Sequence, residues 1–317
     1  MKLVQRAQPF RLVHFLPILP VLGICLAGLL PTAAFGGEIL LAQDTSPGVV
    51  AAYSTSGSLV NANLLTTTPY LTGIGVSGSN VFVASDSGII GEYTISGGTV
   101  NASLITESGG ELGDPVIIGS NLFVANYSNG VIGEYTTSGA TVNASLISGL
   151  SGPYGLATDG TNLYITDYNG GTISEYTTSG TVVNASLVSG LSTPTFIAVV
   201  GSDLFVTING TGCVGEYTTS GTTVNSCLIN DGSNVWGITT DGTNLFVGNY
   251  NTGVVGEYTT SGTAINASLF TGPSAYSIAY AAGSSVPEPA SLVLIPTGLL
   301  AFAFVARKRK ILCRSSK

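Results

Sequence analysis

The sequence predicts an all-β fold, a closed ring of six four-stranded blades forming a β-propeller, and three observations carry that prediction. A motif of the type Glu-Tyr-Thr-Thr-Ser-Gly recurs about every 41 residues. Each repeat divides into four short apolar segments separated by Gly, Asn and Asp turns. The two ends of the repeated region complement each other to make one further repeat.

The motif begins at Glu134, Glu175, Glu216 and Glu257, with a variant at Glu92 and a weaker copy over Ala52–Gly57. Its tyrosines are Tyr53, Tyr93, Tyr135, Tyr176, Tyr217 and Tyr258, spaced by 40, 42, 41, 41 and 41 residues. Within one repeat the expected strands are Tyr154–Thr158, Asn162–Thr166, Thr172–Thr177 and Val182–Val188. Asp159-Gly160, Asn169-Gly170-Gly171 and Ser179-Gly180 form the turns between them. Such a sheet is apolar on both faces and is stable only when stacked against its neighbours.

Ring closure is legible too. A shift of 205 residues lays Glu38–Gln43 over Thr243–Gly248, Gly48 over Gly253 and Tyr53 over Tyr258. The N-terminal part of the body therefore supplies three strands of a blade, and Ala275–Tyr280 supplies the fourth. Five intact repeats and this composite blade make six. An open β-solenoid is the alternative, but it needs no complementary ends.

Charge is distributed unevenly. The nine basic residues are Lys2, Arg6, Arg11, Arg307, Lys308, Arg309, Lys310, Arg314 and Lys317, all at the ends. Residues 12–306 hold all 17 acids and no Lys or Arg. A body without cations cannot displace the counterions of nucleic acid, so nucleic acid is not an expected partner. The single His, His14, lies near the front, so the body has no imidazole for general-base or metal chemistry.

The ends read as address labels. Residues 1–36 have a basic start, an apolar run from Leu12 to Leu30 and small residues at Ala33, Ala34 and Gly36, as a signal peptide for the secretion machinery does. Residues 37–283 are the body. Residues 284–317 contain Pro287-Glu288-Pro289, an apolar run Leu292–Ala306 and the basic cluster Arg307–Lys310. That run is expected to form a short membrane segment whose basic flank stays cytoplasmic, so hydrophobic helices are expected on both sides of the propeller. The order of motif, short apolar segment and basic stop resembles the PEP-CTERM sorting signal, and similar tails occur on some proteins labelled ice-binding. The resemblance covers about residues 286–310. It implies an exosortase-type transpeptidase as partner and a place at the cell envelope or extracellular matrix of a Gram-negative, exopolysaccharide-making bacterium. The blade pattern Pro153–Asp159 followed by Asn162–Asp167 loosely resembles NHL-repeat propellers, though the basic residues common in NHL blades are missing.

Candidate sites are few. Glu92, Glu134, Glu175, Glu216 and Glu257 form a ring of carboxylates. They either hold Ca2+, which prefers oxygen ligands, or sit at strand edges bonded to hydroxyl groups. Asp86, Asn126, Asp167, Asn209 and Asn249 follow second strands, and Asp159 and Asp241 follow first strands. The weak metal candidates among them are Asp86, Asp159, Asp167 and Asp241, and turn capping is the competing role. Cys213 and Cys227 fall in one repeat and face each other across a hairpin within about one residue, which suggests a disulfide in an oxidising compartment. Asn101, Asn143, Asn184 and Asn266 each open an Asn-Ala-Ser sequence and are read as strand residues. No catalytic residue and no cofactor beyond Ca2+ is expected. The blades scarcely diverge, so the expected role is a non-enzymatic surface protein that binds glycan, exopolysaccharide or another surface protein. A metal-dependent hydrolase or lyase of the six-bladed type is the alternative.

Overall fold

The structure, a computed structural model, describes residues 37–283. They form six four-stranded antiparallel sheets arranged as the blades of a propeller, without helix. Among the described residues no helix is long and apolar enough to cross a membrane. The expected signal segment 1–36, the flanking hydrophobic helices and the sorting motif Pro287, Glu288 and Pro289 lie outside the described residues.

Blade 2 is Leu71–Ser77, Asn80–Ser85, Ile89–Thr94 and Thr99–Thr106. Blade 3 is Val116–Ile118, Asn121–Asn126, Val131–Thr136 and Thr141–Ser148. Blade 4 is Pro153–Thr158, Asn162–Asp167, Thr172–Thr177 and Val182–Ser189. Blade 5 is Pro194–Val200, Asp203–Ile208, Cys213–Thr218 and Thr223–Asn230. Blade 6 is Val235–Thr240, Asn244–Asn249, Val254–Thr259 and Ala264–Thr271.

Blade 1 is the composite. Its order is Ser277–Ala281, Glu38–Gln43, Gly48–Ser54 and Leu59–Thr67. The closing strand runs two residues later than Ala275 at its start and one beyond Tyr280 at its end. The alignment of the ends shifts by one residue. Tyr53 does sit over Tyr258, but Glu38 faces Ser54 as Asn244 faces Thr259. The second strand is therefore offset by 244 − 38 = 206, and Glu38 takes the place of Asn244, not Thr243. One extra residue between Gln43 and Val49 absorbs the difference.

Stacking explains the burial pattern. The second strands are buried on both faces, as in Asn162–Asp167 and Asn244–Asn249. Between blades 6 and 1, Phe246, Val255 and Phe270 pack on Ile39, Leu41, Ala51 and Tyr53. Burying each large side chain there contributes roughly 1.5–3 kcal/mol. The fourth strands are the outer rim and leave Val100, Val142, Val183 and Val224 about half exposed.

The repeated motif is explained residue by residue. Glu92 accepts the Asn80 side-chain amide at 2.9 Å, Glu134 that of Asn121 at 2.7 Å, Glu175 that of Asn162 at 2.7 Å and Glu257 that of Asn244 at 2.8 Å. These bonds satisfy carboxylates that have no cation available. The main partner is thus an Asn of the preceding strand, and only Glu175 also takes a hydroxyl, that of Tyr164 at 3.4 Å. In blade 5 an acid, Asp203, replaces the Asn, and Glu216 titrates high through burial and then Asp203 repulsion. The motif tyrosines are buried. In four blades a glycine two residues earlier leaves room for the ring: a Cβ on Gly133 would lie 2.7 Å from the Tyr135 ring. The threonine hydroxyl closes the turn, Thr136 Oγ1 accepting the Ala140 N–H at 3.0 Å. The final glycine adopts φ 88° at Gly139, which favours Gly. The Asn-Ala-Ser residues are strand residues, and Asn101 Oδ1 accepts the Ser103 N–H at 3.1 Å.

Cys213 and Cys227 are disulfide-bonded, with Cα atoms 5.1 Å apart. They are not direct partners across the hairpin. Cys213 pairs with Asn230, and Cys227 lies in the bulge where the register shifts between Val214 and Glu216.

Candidate functional site

First strands of successive blades touch one another and line the axis. Antiparallel pairing then sends two connections of each blade to one face of the disc: the loop after the second strand and the crossing to the next blade. The turns after the first and third strands go to the opposite face. Three positions per blade ring the axial opening on the first face. In the order of blades 1 to 6, the first set is Ser274, Tyr70, Glu111, Gly152, Thr193 and Asn234, which directly precede the first strand in blades 2, 4, 5 and 6 and take the equivalent place further ahead of the shorter first strands of blades 1 and 3. Two residues on stand Tyr276, Thr72, Gly113, Tyr154, Thr195 and Trp236, second in the first strand of blades 2, 4, 5 and 6 and ahead of it in blades 1 and 3. After the second strand stand Asp44, Asp86, Tyr127, Tyr168, Asn209 and Tyr250. In blades 2–6 the N–H of the last set donates to the carbonyl of the first set at 2.8–3.1 Å, so the loops share one geometry and differ in side chain.

The differences divide the mouth into two halves. Asp44, Asp86 and Glu111 belong to blades 1–3. Together with Tyr70, Thr72 and Tyr276 they line a pocket of about 310 Å³. The other half is aromatic. Trp236 stacks on Tyr276 with centroids 4.7 Å apart and meets Tyr154 at 5.6 Å, Tyr168 at 6.3 Å and Tyr250 at 6.2 Å. Tyr127 meets Tyr168 at 6.1 Å. Phe196, fully buried, is the floor beneath Tyr154, Trp236 and Tyr276.

Hydrogen bonds fix this arrangement. The Tyr154 and Tyr276 hydroxyls lie 2.7 and 3.1 Å from Glu111 Oε1 as donors and against each other, so their two protons serve three contacts. Burial, neighbouring negative charge and the bonds to Glu111 push both phenols far above their ordinary range, the Tyr154 bond acting the other way on Tyr276 only, so at neutral pH both remain protonated and do not act as bases. Tyr250 donates to Asp44 at 2.9 Å and joins the two halves. Thr166 accepts the Gly155 N–H at 2.8 Å and donates to the Thr195 carbonyl. Thr207 accepts the Phe196 N–H at 3.0 Å and donates to the Trp236 carbonyl at 2.6 Å. These two threonines stitch blade 4 to 5 and 5 to 6, and so hold the aromatic half.

Deeper in the channel Asp114 does the same for blades 1–3. It accepts the Ile74 N–H at 3.0 Å and the Ser277 hydroxyl at 2.6 Å. Protein surrounds this carboxyl although the channel leaves part of its surface accessible. Desolvation raises its pKa to about 7 against those two bonds. A raised carboxyl stabilises the fold fully below the unfolded value, and that contribution fades as pH rises from about 4 to about 7. Asp114→Asn is expected to flatten this slope and to gain roughly 2–4 kcal/mol above pH 7 relative to the parent. Urea midpoints at pH 4.5 and 8 check it, and an unchanged slope would refute it.

The expected candidates fare differently. Asp159 and Asp241 lie on the opposite face from Asp86 and Asp167, so the loop acids do not line one face together. Asp159 accepts the N–H groups of Thr161 and Asn162 and the Tyr164 hydroxyl, and Asp241 those N–H groups of Thr243 and Asn244. Asp167 accepts the N–H groups of Ser151 and Gly170. All three are occupied by turns. Asp86 is not equivalent to Asp167: it sits one place further along, with Tyr127 and Tyr168, and lines the mouth. Asn209 shares that later place, whereas Asn126 and Asn249 share the place of Asp167. Among the described residues no three Asp, Glu, Cys or His side chains cluster closely enough to hold a metal ion. Glu111, Asp114, Asp44, Trp236 and Tyr276 were not among the expected residues. The signal for the first two was present: the 42-residue spacing and Gly109-Gly110-Glu111-Leu112-Gly113-Asp114-Pro115, which shortens the first strand of blade 3 to Val116–Ile118.

No protein-family model matches the chain, and no curated protein matches it in sequence. Solved structures do. A chain of a nidogen/laminin complex is 18% identical over 78% of this chain and 99% of its own length, with a TM-score of 0.63. Virginiamycin B lyase from Staphylococcus aureus is 22% identical over 65% of this chain and 73% of its own, with a TM-score of 0.53. A streptogramin B lyase is 23% identical over 64% and 70%, with a TM-score of 0.52. At these identities the likeness shows the propeller fold alone.

Proposed function

We propose that this chain is an exported, non-enzymatic binding propeller that takes a saccharide at the mouth of its channel. The observation that carries the reading is the half-ring of Tyr127, Tyr168, Trp236 and Tyr250 beside a polar pocket, on blades otherwise nearly alike. Aromatic rings stack on the apolar faces of sugars, and a few placed polar groups set orientation. The order of Pro287-Glu288-Pro289, apolar run and basic stop supports delivery to a Gram-negative cell envelope or matrix by an exosortase-type system, where exopolysaccharide is the ligand at hand. The Cys213–Cys227 bond is compatible with that compartment. Against the rival reading of a metal-dependent hydrolase or lyase, the described residues include no His, Lys or Arg, and no three of their acids converge closely enough to hold a metal ion.

The test is binding of the full-length protein to an oligosaccharide panel. Trp236→Ala is expected to weaken the best ligand at least about tenfold, which is 1.4 kcal/mol, whereas Val183→Ala on the rim leaves it unchanged. Equal binding by both variants, or turnover of the bound saccharide, would overturn the reading.

A further inference from the structure

Resting on that saccharide reading, we infer that the acidic half of the mouth selects a free ammonium group, so that the ligand is an amino sugar with an unacetylated amine.

Four observations lead there. First, Asp44, Asp86 and Glu111 surround one pocket of about 310 Å³, and no Lys or Arg occurs between residues 12 and 306 to neutralise them. Second, these carboxylates do not converge as metal ligands. An ammonium on a ring of several atoms suits such spacing better, because it presents three donors and fills the volume. Third, Thr72 lines the pocket at 4% exposure, and its buried Oγ1 has no hydrogen-bond partner in the fold. An orphaned buried hydroxyl destabilises the fold, and a ligand group in the pocket would offset that cost. Fourth, the Tyr70 and Tyr276 rings stand in the same wall, and aromatic faces attract a cation.

The electrostatics agree with the geometry. The Asp86 carboxylate accepts no hydrogen bond among the described residues, and desolvation followed by repulsion from Asp44 and Glu111 raises its pKa. A cation between these groups relieves that repulsion. The aromatic half sits directly beside the pocket through the Tyr276–Trp236 stack. A sugar ring stacked there places a substituent toward the carboxylates. That juxtaposition favours an amino sugar over a linear polyamine, which would leave the aromatic shelf unused.

The test follows the fluorescence of Trp236, the only tryptophan of the chain. Full-length protein is titrated with a glucosamine tetramer, an N-acetylglucosamine tetramer, a glucose tetramer and spermidine. The free-amine tetramer is expected to bind at least tenfold more tightly than the other three. Asp86→Asn and Thr72→Val are expected to cut that preference to under threefold. Thr72→Val removes a hydroxyl that bonds nothing, so its melting temperature should not fall, and binding lost without unfolding is readable. Equal binding of the three tetramers, or a preference unmoved by Asp86→Asn, overturns the ammonium assignment and leaves saccharide binding standing. Spermidine binding as tightly as the free-amine tetramer overturns the amino-sugar assignment. No response to any tetramer overturns both readings.

Discussion

Deletion of residues 275–281 is expected to abolish cooperative unfolding altogether. Those residues are the innermost strand of blade 1. Ser277–Ala281 pairs with Ala42–Glu38 over five residues, and Ala275, Ser277, Ile278 and Ala281 are almost wholly buried. The strand also touches the first strands of blades 2 and 6, and Ser277 supplies the hydroxyl that Asp114 accepts. Its removal exposes the inner edge of Glu38–Gln43 and unseals both neighbouring interfaces. Losing the large buried side chains of Tyr276 and Ile278 at roughly 1.5–3 kcal/mol each, together with the five-residue strand pairing, takes a large part of the about 5–15 kcal/mol that stabilises a domain. Circular dichroism melting and protease resistance of the deletion variant check this. A variant that melts near the parent temperature would show that the ring does not depend on closure by the two chain ends.

Phe196→Ala is expected to cost about 3–5 kcal/mol, the range for emptying a buried aromatic site. Phe196 occupies the third place of its first strand. The matching places in blades 2, 4 and 6 are Gly73, Gly155 and Gly237. Those glycines lie tight against the next blade, a Cβ on Gly155 meeting the Thr195 carbonyl at 2.5 Å, whereas at the same place Phe196 carries a large ring. It contacts Tyr154 at 5.2 Å and Tyr276 at 6.3 Å, so the cavity opens directly beneath the aromatic half of the mouth. Urea denaturation gives the stability change, and the emission of the overlying Trp236 should shift as its packing loosens. A loss below about 1 kcal/mol would mean that the axis is not packed around this ring.

The fold was legible because its determinants are local and repeated. Glycine in left-handed turns, threonine capping them and a tyrosine lying over a glycine two residues back all recur at one spacing, and one repeat states the rule for the rest. Closure was legible for the same reason, apart from the single residue between Gln43 and Val49 that shifts Glu38 onto the place of Asn244. The mouth was not legible in this way. Its residues come from three places in each of six blades, and no stretch of sequence brings Asp44, Glu111 and Tyr276 together. The repeated acids lie away from it, since a residue repeated in every blade serves the blade. Glu92, Glu134, Glu175 and Glu257 hold asparagines, and Asp159, Asp167 and Asp241 hold turns. The informative positions are those where the blades differ: Trp236 against Thr72, Phe196 against Gly155, Asp86 against Tyr168, and the broken first strand around Glu111 and Asp114.

The central claim is that ligand binds on one face, at the axial mouth. Hydrogen exchange of the full-length protein, with and without saturating glucosamine tetramer, tests it most directly. Slowed exchange is expected in the loops at residues 44–48, 108–114, 127–130, 168–171 and 250–253, with no change in the opposite-face turns at 55–58, 96–98, 138–140 and 179–181. Slowing confined to those opposite turns or to the outer fourth strands would contradict the account.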